Sequence, residues 1–264
     1  MKIISYNILR GGQFEAGNRL GQILAFLKSE ELDIICLNEC DYFQANHNAI
    51  LRAFEQELGM RSVCHATPSG TCLVLLFRDE LQLKNVSSFD RFLFHGMIVA
   101  DLVYKTCDFR LILTHLNPYS AELRLMESQI LAQMALRHER VLIAGDFNSI
   151  SPEFSVDFTQ FKPTFQARST HADGTADCRA LTNLFRQGYY DLWSKFHTVE
   201  DEKIQGSYPT PLGDKNIQYP HPVRIDFILG SQNFLQACTR CDIVQNEGLS
   251  QTSDHYPVLA EFAL

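Results

Sequence analysis

No apolar run in this chain approaches the roughly 18 residues that a membrane span needs. The first apolar run, Met1 to Ile8, is short and interrupted by Asn7, which is too little for a secretory signal. The expectation is a cytoplasmic protein without a transmembrane segment. Basic clusters are also missing. Lys and Arg number 23 against 31 Asp and Glu, a formal charge of −8, which excludes a module that coats nucleic acid or anionic membrane nonspecifically. An enzyme that handles phosphate locally through a bound cation is not excluded. Low-complexity tracts, charge blocks and internal repeats are absent, and the 14 Gly and 9 Pro are scattered rather than gathered into a linker. Residues 1–264 therefore read as a single domain. Paired cysteine motifs are lacking too. Of eight cysteines only Cys238 and Cys241 form a CxxC, with no second pair at finger spacing, so buried thiols are expected instead of a zinc site or disulfides.

What the chain does contain is apolar pattern, 45% of its residues being hydrophobic. Lys2 to Ile8 reads as a buried strand, followed after Gly11-Gly12 by a helix with a stripe of Leu20, Ile23, Leu24 and Leu27. Asp33 to Glu39 repeats the strand, and Ile50, Leu51, Phe54 and Leu58 repeat the helix. Cys72 to Phe77, Met97 to Val103 and Arg110 to Thr114 are strand-like runs with no helix between them, which indicates antiparallel sheet. A helix over about Ala121 to Arg137 precedes a strand at Arg140 to Ala144. Residues 151–222, rich in Pro, Asp, Gly and Tyr, predict irregular loops. Strands return at Arg224 to Leu229, Asp242 to Val244 and Val258 to Phe262. This order predicts an α/β four-layer α/β/β/α sandwich, with two packed mixed sheets and helices outside.

Polar residues recur at the ends of these strands: Asn7, Glu39, His115, Asp146 with Asn148, Asp226, and Asp254 with His255. One acid after a strand is ordinarily a turn former or helix cap. Six such ends in one sheet system converge on one cleft, and their Asp, Glu and Asn oxygens suit a hard cation such as Mg2+.

These residues resemble the endonuclease/exonuclease/phosphatase superfamily, metal-dependent phosphoesterases with a deoxyribonuclease I-like fold. The matching segments are Ser5-Tyr6-Asn7, Leu37-Asn38-Glu39, Thr114-His115-Leu116, Gly145-Asp146-Phe147-Asn148, Arg224-Ile225-Asp226-Phe227 and Ser253-Asp254-His255-Tyr256-Pro257. They occur in the family's order over nearly the whole chain. One departure is Asn38, where the family usually has Gln before the metal-binding Glu; it keeps the amide and shortens the side chain by one methylene.

The resemblance implies that Glu39, supported by Asn7 and Asp254, holds the metal, Mg2+ or alternatively Mn2+, which acts as a Lewis acid on the phosphate. It makes Asp146, Asn148, Asp226, His115 and His255 catalytic. Asp146 orients or deprotonates the attacking water, Asn148 bonds the phosphate or that nucleophile, and Asp226 fixes the His255 tautomer. Whether Asp146 or His255 takes the proton stays open. Arg124, Thr210 and Arg224 are candidate substrate-binding residues, and Tyr208, Tyr219 and His221 are candidates to pack a base, sugar or headgroup. The expected partner is a phosphoester substrate, nucleic acid or small phosphorylated molecule, and no obligate protein partner is inferred. A nuclease-like phosphodiesterase is the leading function. The alternatives are a phosphatase or lipid-headgroup phosphodiesterase and, more remotely, a noncatalytic binding scaffold.

Overall fold

The computed structural model describes residues 1–13, 17–136, 138–154, 158–202, 204–214 and 222–264. Two six-stranded sheets pack face to face. The first runs β11-β12-β1-β2-β4-β3 and comprises β1 (Lys2–Asn7), β2 (Ile34–Asn38), β3 (Arg61–Ala66), β4 (Cys72–Phe77), β11 (Cys238–Ile243) and β12 (Val258–Phe262). The second runs β5-β6-β7-β8-β10-β9, from β5 (Leu81–Phe89), β6 (Met97–Tyr104), β7 (Cys107–His115), β8 (Val141–Asp146), β9 (Tyr190–Asp191) and β10 (Asp226–Gly230). Each sheet is antiparallel except at its centre, where β1 runs parallel to β2 and β7 parallel to β8.

The continuous apolar runs have a physical reason. Both faces of the central strands are covered, so alternate residues serve different cores. Ile3, Ile34, Leu75, Leu111, Leu113 and Leu142 fill the space between the sheets. Their neighbours Ile4, Tyr6, Ile35 and Leu37 face outward against Ile23 and Leu27 of α1 (Leu20–Ser29) and Leu51, Phe54 and Leu58 of α2 (Ala45–Leu58). On the other side, Ile112, Val141 and Ile143 meet Leu131 and Ala135 of α3 (Ala121–Ala135). The sandwich therefore has four layers, as the strand and helix order predicts.

Several elements differ from the sequence reading. β3 and β5 are strands where the sequence reading names none; in β5, edge positions such as Gln82, Lys84 and Asn85 face solvent and break the apolar run. β11 begins at Cys238, so the CxxC lies within a strand, and all eight cysteines are free. The segment read as irregular carries α4 (Pro163–Ser169) and α5 (Arg179–Arg186), with a satellite core of Phe154, Phe158, Phe161 and Phe165 against Tyr208, Val223 and Ile225. Helix α3 ends at Ala135, while Arg137 lies outside the described residues. Among the described residues no helix is long and apolar enough to cross a membrane.

Candidate active site

Parallel neighbours end on the same side of a sheet, which decides where the polar residues go. Asn7 and Asn38 end β1 and β2 in register, and His115 and Asp146 end β7 and β8 in register. Asp226 opens antiparallel β10 directly opposite Asp146. Ser253 brings in the last pair: its hydroxyl donates to the Asn7 carbonyl at 2.6 Å, just ahead of Asp254 and His255.

The two sheets are joined at this end by side-chain amides. Asn7 Nδ2 donates to Glu39 Oε1 and to Asp146 Oδ2, both at 3.1 Å. Asn38 is fully buried; its Nδ2 donates to the Thr114 carbonyl at 2.8 Å and its Oδ1 accepts the Asp146 N–H at 3.2 Å. The shorter amide noted in the sequence thus bridges β2 to both β7 and β8. The bridge needs close backbones: Gly145 has φ +146°, and a Cβ there would lie 1.8 Å from the Thr114 oxygen. Glu39 and Asn148 also hold positive φ, +56° and +48°, a costly backbone state for residues with side chains that concentrates at functional sites.

Asp146 sits between two imidazoles. Its Oδ2 lies 3.3 Å from His115 Nε2 and 3.8 Å from His255 Nε2. Its Oδ1 accepts the Asn148 N–H at 2.8 Å, so both carboxylate oxygens are held. His255 Nδ1 meets Asp226 Oδ2 at 2.7 Å. The Ser207 hydroxyl accepts the Asp226 N–H at 3.1 Å, and the Tyr208 ring packs 4.8 Å from the His255 ring. Burial, reinforced by the Asp226 charge, pushes the Asp146 pKa up to about 7. For His255 burial opposes the charge, but Asp226, Asp254 and Asp146 outweigh it and hold its pKa well above the ordinary imidazole value. Burial, with His255 nearby, lowers His115 to about 3. At neutral pH the site therefore pairs a charged His255 with a neutral His115 across a carboxylate that titrates near 7.

Asn7, Glu39, His115, Asp146, Asn148, Asp226, Asp254 and His255 all come to this end of the sandwich. Three other predicted residues do not reach the cleft. Arg124 is buried in α3, donating to the Asn117 carbonyl at 3.0 Å and to the Arg168 carbonyl. Arg224 is buried on the Asp191 carboxylate at 2.6 Å, with its guanidinium 4.5 Å from the Trp193 ring and 4.4 Å from the Phe227 ring. Thr210 donates to the Ser253 carbonyl at 2.5 Å and braces the Asp254 loop from behind. In each case a charge or hydroxyl that sequence reads as outward is spent on a buried partner. Tyr219 and His221 lie outside the described residues.

The cleft has a volume of about 510 Å³, and sequence reasoning missed much of its wall: Arg10, Tyr42, Ser69, His95, Tyr119 and Arg168. None ends an apolar strand, so the signal that found the other residues is absent there.

A search of curated proteins by sequence finds no match. The sequence model of the Endonuclease/Exonuclease/phosphatase family matches residues 4–255. The chain belongs to that family. Members are phosphoester hydrolases, and the chain is an enzyme of that class. Solved structures share its fold: an AP endonuclease from Archaeoglobus fulgidus at TM-score 0.71 and 20% identity, covering 100% of both chains. A 3′ phosphatase from Neisseria bound to product DNA hairpin gives 0.70 and 18%, again over 100% of both. The human Nocturnin catalytic domain with bound sulfate gives 0.64 and 17%, over 100% of this chain and 93% of that one.

The family is metal-dependent, and the donors present suit a hard cation. Asp146, Asp226 and His255 offer ligand atoms within 4.8 Å of one another; the bond between His255 Nδ1 and Asp226 Oδ2 leaves Asp226 Oδ1 buried with no hydrogen-bond partner among the described residues. The Glu39 side offers a further set of oxygens. Burial raises the pKa of Asp254, with the Glu39 charge adding to it against the pull of His255. Burial and Glu39 also lift Asp41 to about 6, and Asp41 Oδ1 is buried with no hydrogen-bond donor. Oxygen ligands whose charge burial disfavours are what a divalent cation relieves.

Proposed function

We propose that the enzyme is a nuclease-like phosphodiesterase that uses Mg2+, with Mn2+ as an alternative, and that residues 1–264 act as one unit because residues from Asn7 to His255 contribute to one centre. Glu39 and Asp254 hold the cation, with Asn7 orienting Glu39. When bound, the cation neutralises phosphoryl charge as a Lewis acid. Asp146 takes the proton of the attacking water; Asn7 and the Asn148 amide present its two oxygens for this. His255, kept cationic by Asp226, stabilises charge on the phosphate, and neutral His115 donates from Nε2 toward the phosphate or leaving oxygen. Asn148 lines the cleft and bonds the phosphate from its side chain.

The observation that carries this reading is the Asp146 carboxylate between His115 and the His255–Asp226 pair, since it supplies a base near neutral pH beside a fixed cation. A cleft of about 510 Å³ with Arg10 and Arg168 on its wall suits a strand end or a nucleotide-sized group. The eight free thiols support a reducing compartment such as the cytoplasm.

Hydrolysis of bis-p-nitrophenyl phosphate is the direct test. Turnover should vanish in EDTA, return with Mg2+ or Mn2+, and fall about 10²- to 10⁴-fold in kcat for Asp146→Ala. Turnover that persists in chelator, or none across a divalent-metal screen, overturns the reading. A panel of DNA, RNA, nucleotides, sphingomyelin and inositol phosphates then fixes the class: cleavage of monoesters or lipid headgroups alone would replace nuclease by phosphatase or headgroup phosphodiesterase.

A further inference from the structure

The two histidines beside Asp146 are held in different ways. His255 has the familiar device, a carboxylate on its far nitrogen. His115 does not: its Nδ1 is buried without a hydrogen-bond partner among the described residues. An imidazole so placed is held by polar contact on its Nε2 side alone, at Asp146, which leaves its ring plane free to tilt. What lies against it is a second imidazole. His95, from the loop between β5 and β6, stacks on His115 with centroids 3.9 Å apart and planes within 11°.

We propose, resting on the phosphoesterase reading above, that His95 is a positioning residue: it fixes the ring plane of His115 so that Nε2 stays directed at Asp146 and the phosphate beside it.

The surroundings of His95 are built to hold a plate. Its Nδ1 lies 2.6 Å from Ser69 Oγ, and Ser69 lies 2.7 Å from Thr67 Oγ1. These hydroxyls belong to the turn between β3 and β4, so a residue of the second sheet's loop is gripped by the first sheet. Phe94 meets the His95 ring edge-on at 4.6 Å and 87°. The Phe94 N–H donates to Glu127 Oε1 at 2.7 Å, while Glu127 Oε2 accepts the Asn117 N–H at 2.7 Å, tying the His95 loop to the segment after His115. The chain leaves through Gly96 at φ +70°, where a Cβ would lie 2.9 Å from the Phe89 oxygen and 3.0 Å from His65 Nε2. Both imidazoles are uncharged at neutral pH, burial being the main cause, so the stack carries no like-charge repulsion.

The test uses the full chain with Mg2+ and bis-p-nitrophenyl phosphate. His95→Ala should lower kcat about 10- to 100-fold, as loss of an orienting partner does, with KM little changed. His95→Phe keeps a flat ring and should recover most of kcat. Ser69→Ala should show a smaller loss of kcat that adds nothing to His95→Ala. NMR of the His115 ring gives a readout independent of turnover: one sharp set of ring resonances in the wild type and His95→Phe, and exchange-broadened or shifted ones in His95→Ala. An unchanged kcat in His95→Ala, a loss confined to KM, or unchanged His115 resonances overturns the proposal. If His95→Ala does not fold, the same readouts on Ser69→Ala decide, and full kcat with unchanged resonances there overturns it. If the wild type hydrolyses no ester, the functional reading fails, while the resonances still decide whether His95 holds His115.

Discussion

Arg224 shows how far a single residue's role depends on what surrounds it. Beside Asp226 in sequence it looks placed for a phosphate, yet its charge is matched to buried Asp191 and its plane lies against Trp193 and Phe227. Arg224→Met would strand that carboxylate. The expected cost is about 3–5 kcal/mol in urea unfolding with KM unchanged, whereas a substrate contact would raise KM and spare stability. His95 makes a second prediction at this scale. Its pKa is depressed to about 2, chiefly by burial, so the folded state excludes a proton that the unfolded chain binds below about pH 6.5. The sign follows: the stability that neutral His95 retains at pH 7 is lost as pH falls below 6.5. Against His95→Phe, which has no such proton, the wild type should lose about 1.4 kcal/mol more per pH unit between about pH 6 and 4. Urea midpoints for both proteins across that range check it, and parallel curves would refute it.

At the scale of elements, strands buried on both faces were the legible part. β4 and β12 match the sequence reading residue for residue, because Cys72 to Phe77 is apolar and buried throughout and Val258 to Phe262 at every position but Glu261. The polar residues that meet at the cleft were legible for the same reason, since a polar residue that stops an apolar run marks the end of a strand. β5 was not, its solvent face interrupting the run at every second or third residue. Nor was the phenylalanine cluster, in which Pro163 separates Phe161 from Phe165 and the helical pieces are the short Phe158–Gln160 and Pro163–Ser169, which depend on packing. The cleft wall at Ser69, His95 and Arg168 was invisible because loops carry no periodicity. The cluster makes its own prediction. Phe161→Ala removes a ring that packs on Phe158 and Phe165 and should cost about 3–5 kcal/mol. Because Tyr208 and Ile225 share that core and line the cleft, KM should rise with it. An unchanged KM would separate the cluster from the site.

Over the whole molecule, a charge of −8 and two cleft arginines, Arg10 and Arg168, set how substrate arrives. Two phosphate contacts on a single strand give a log–log salt slope of about −1 to −2 for the apparent association constant. Titrating KM for a short oligonucleotide against NaCl at fixed Mg2+ tests this; a slope several times steeper would require a basic track elsewhere. The sheets themselves have a further consequence through Asn38. The Asp146 N–H donates to a side chain of the opposite sheet although Asp146 itself pairs with His115 in β7, so its hydrogen exchange depends on the contact between the sheets as well as on the β7–β8 ladder. Asn38→Ala, which removes that acceptor, should therefore speed exchange at this amide and leave the neighbouring β8 amides unchanged, so that one amide counts how often the two sheets part at the cleft.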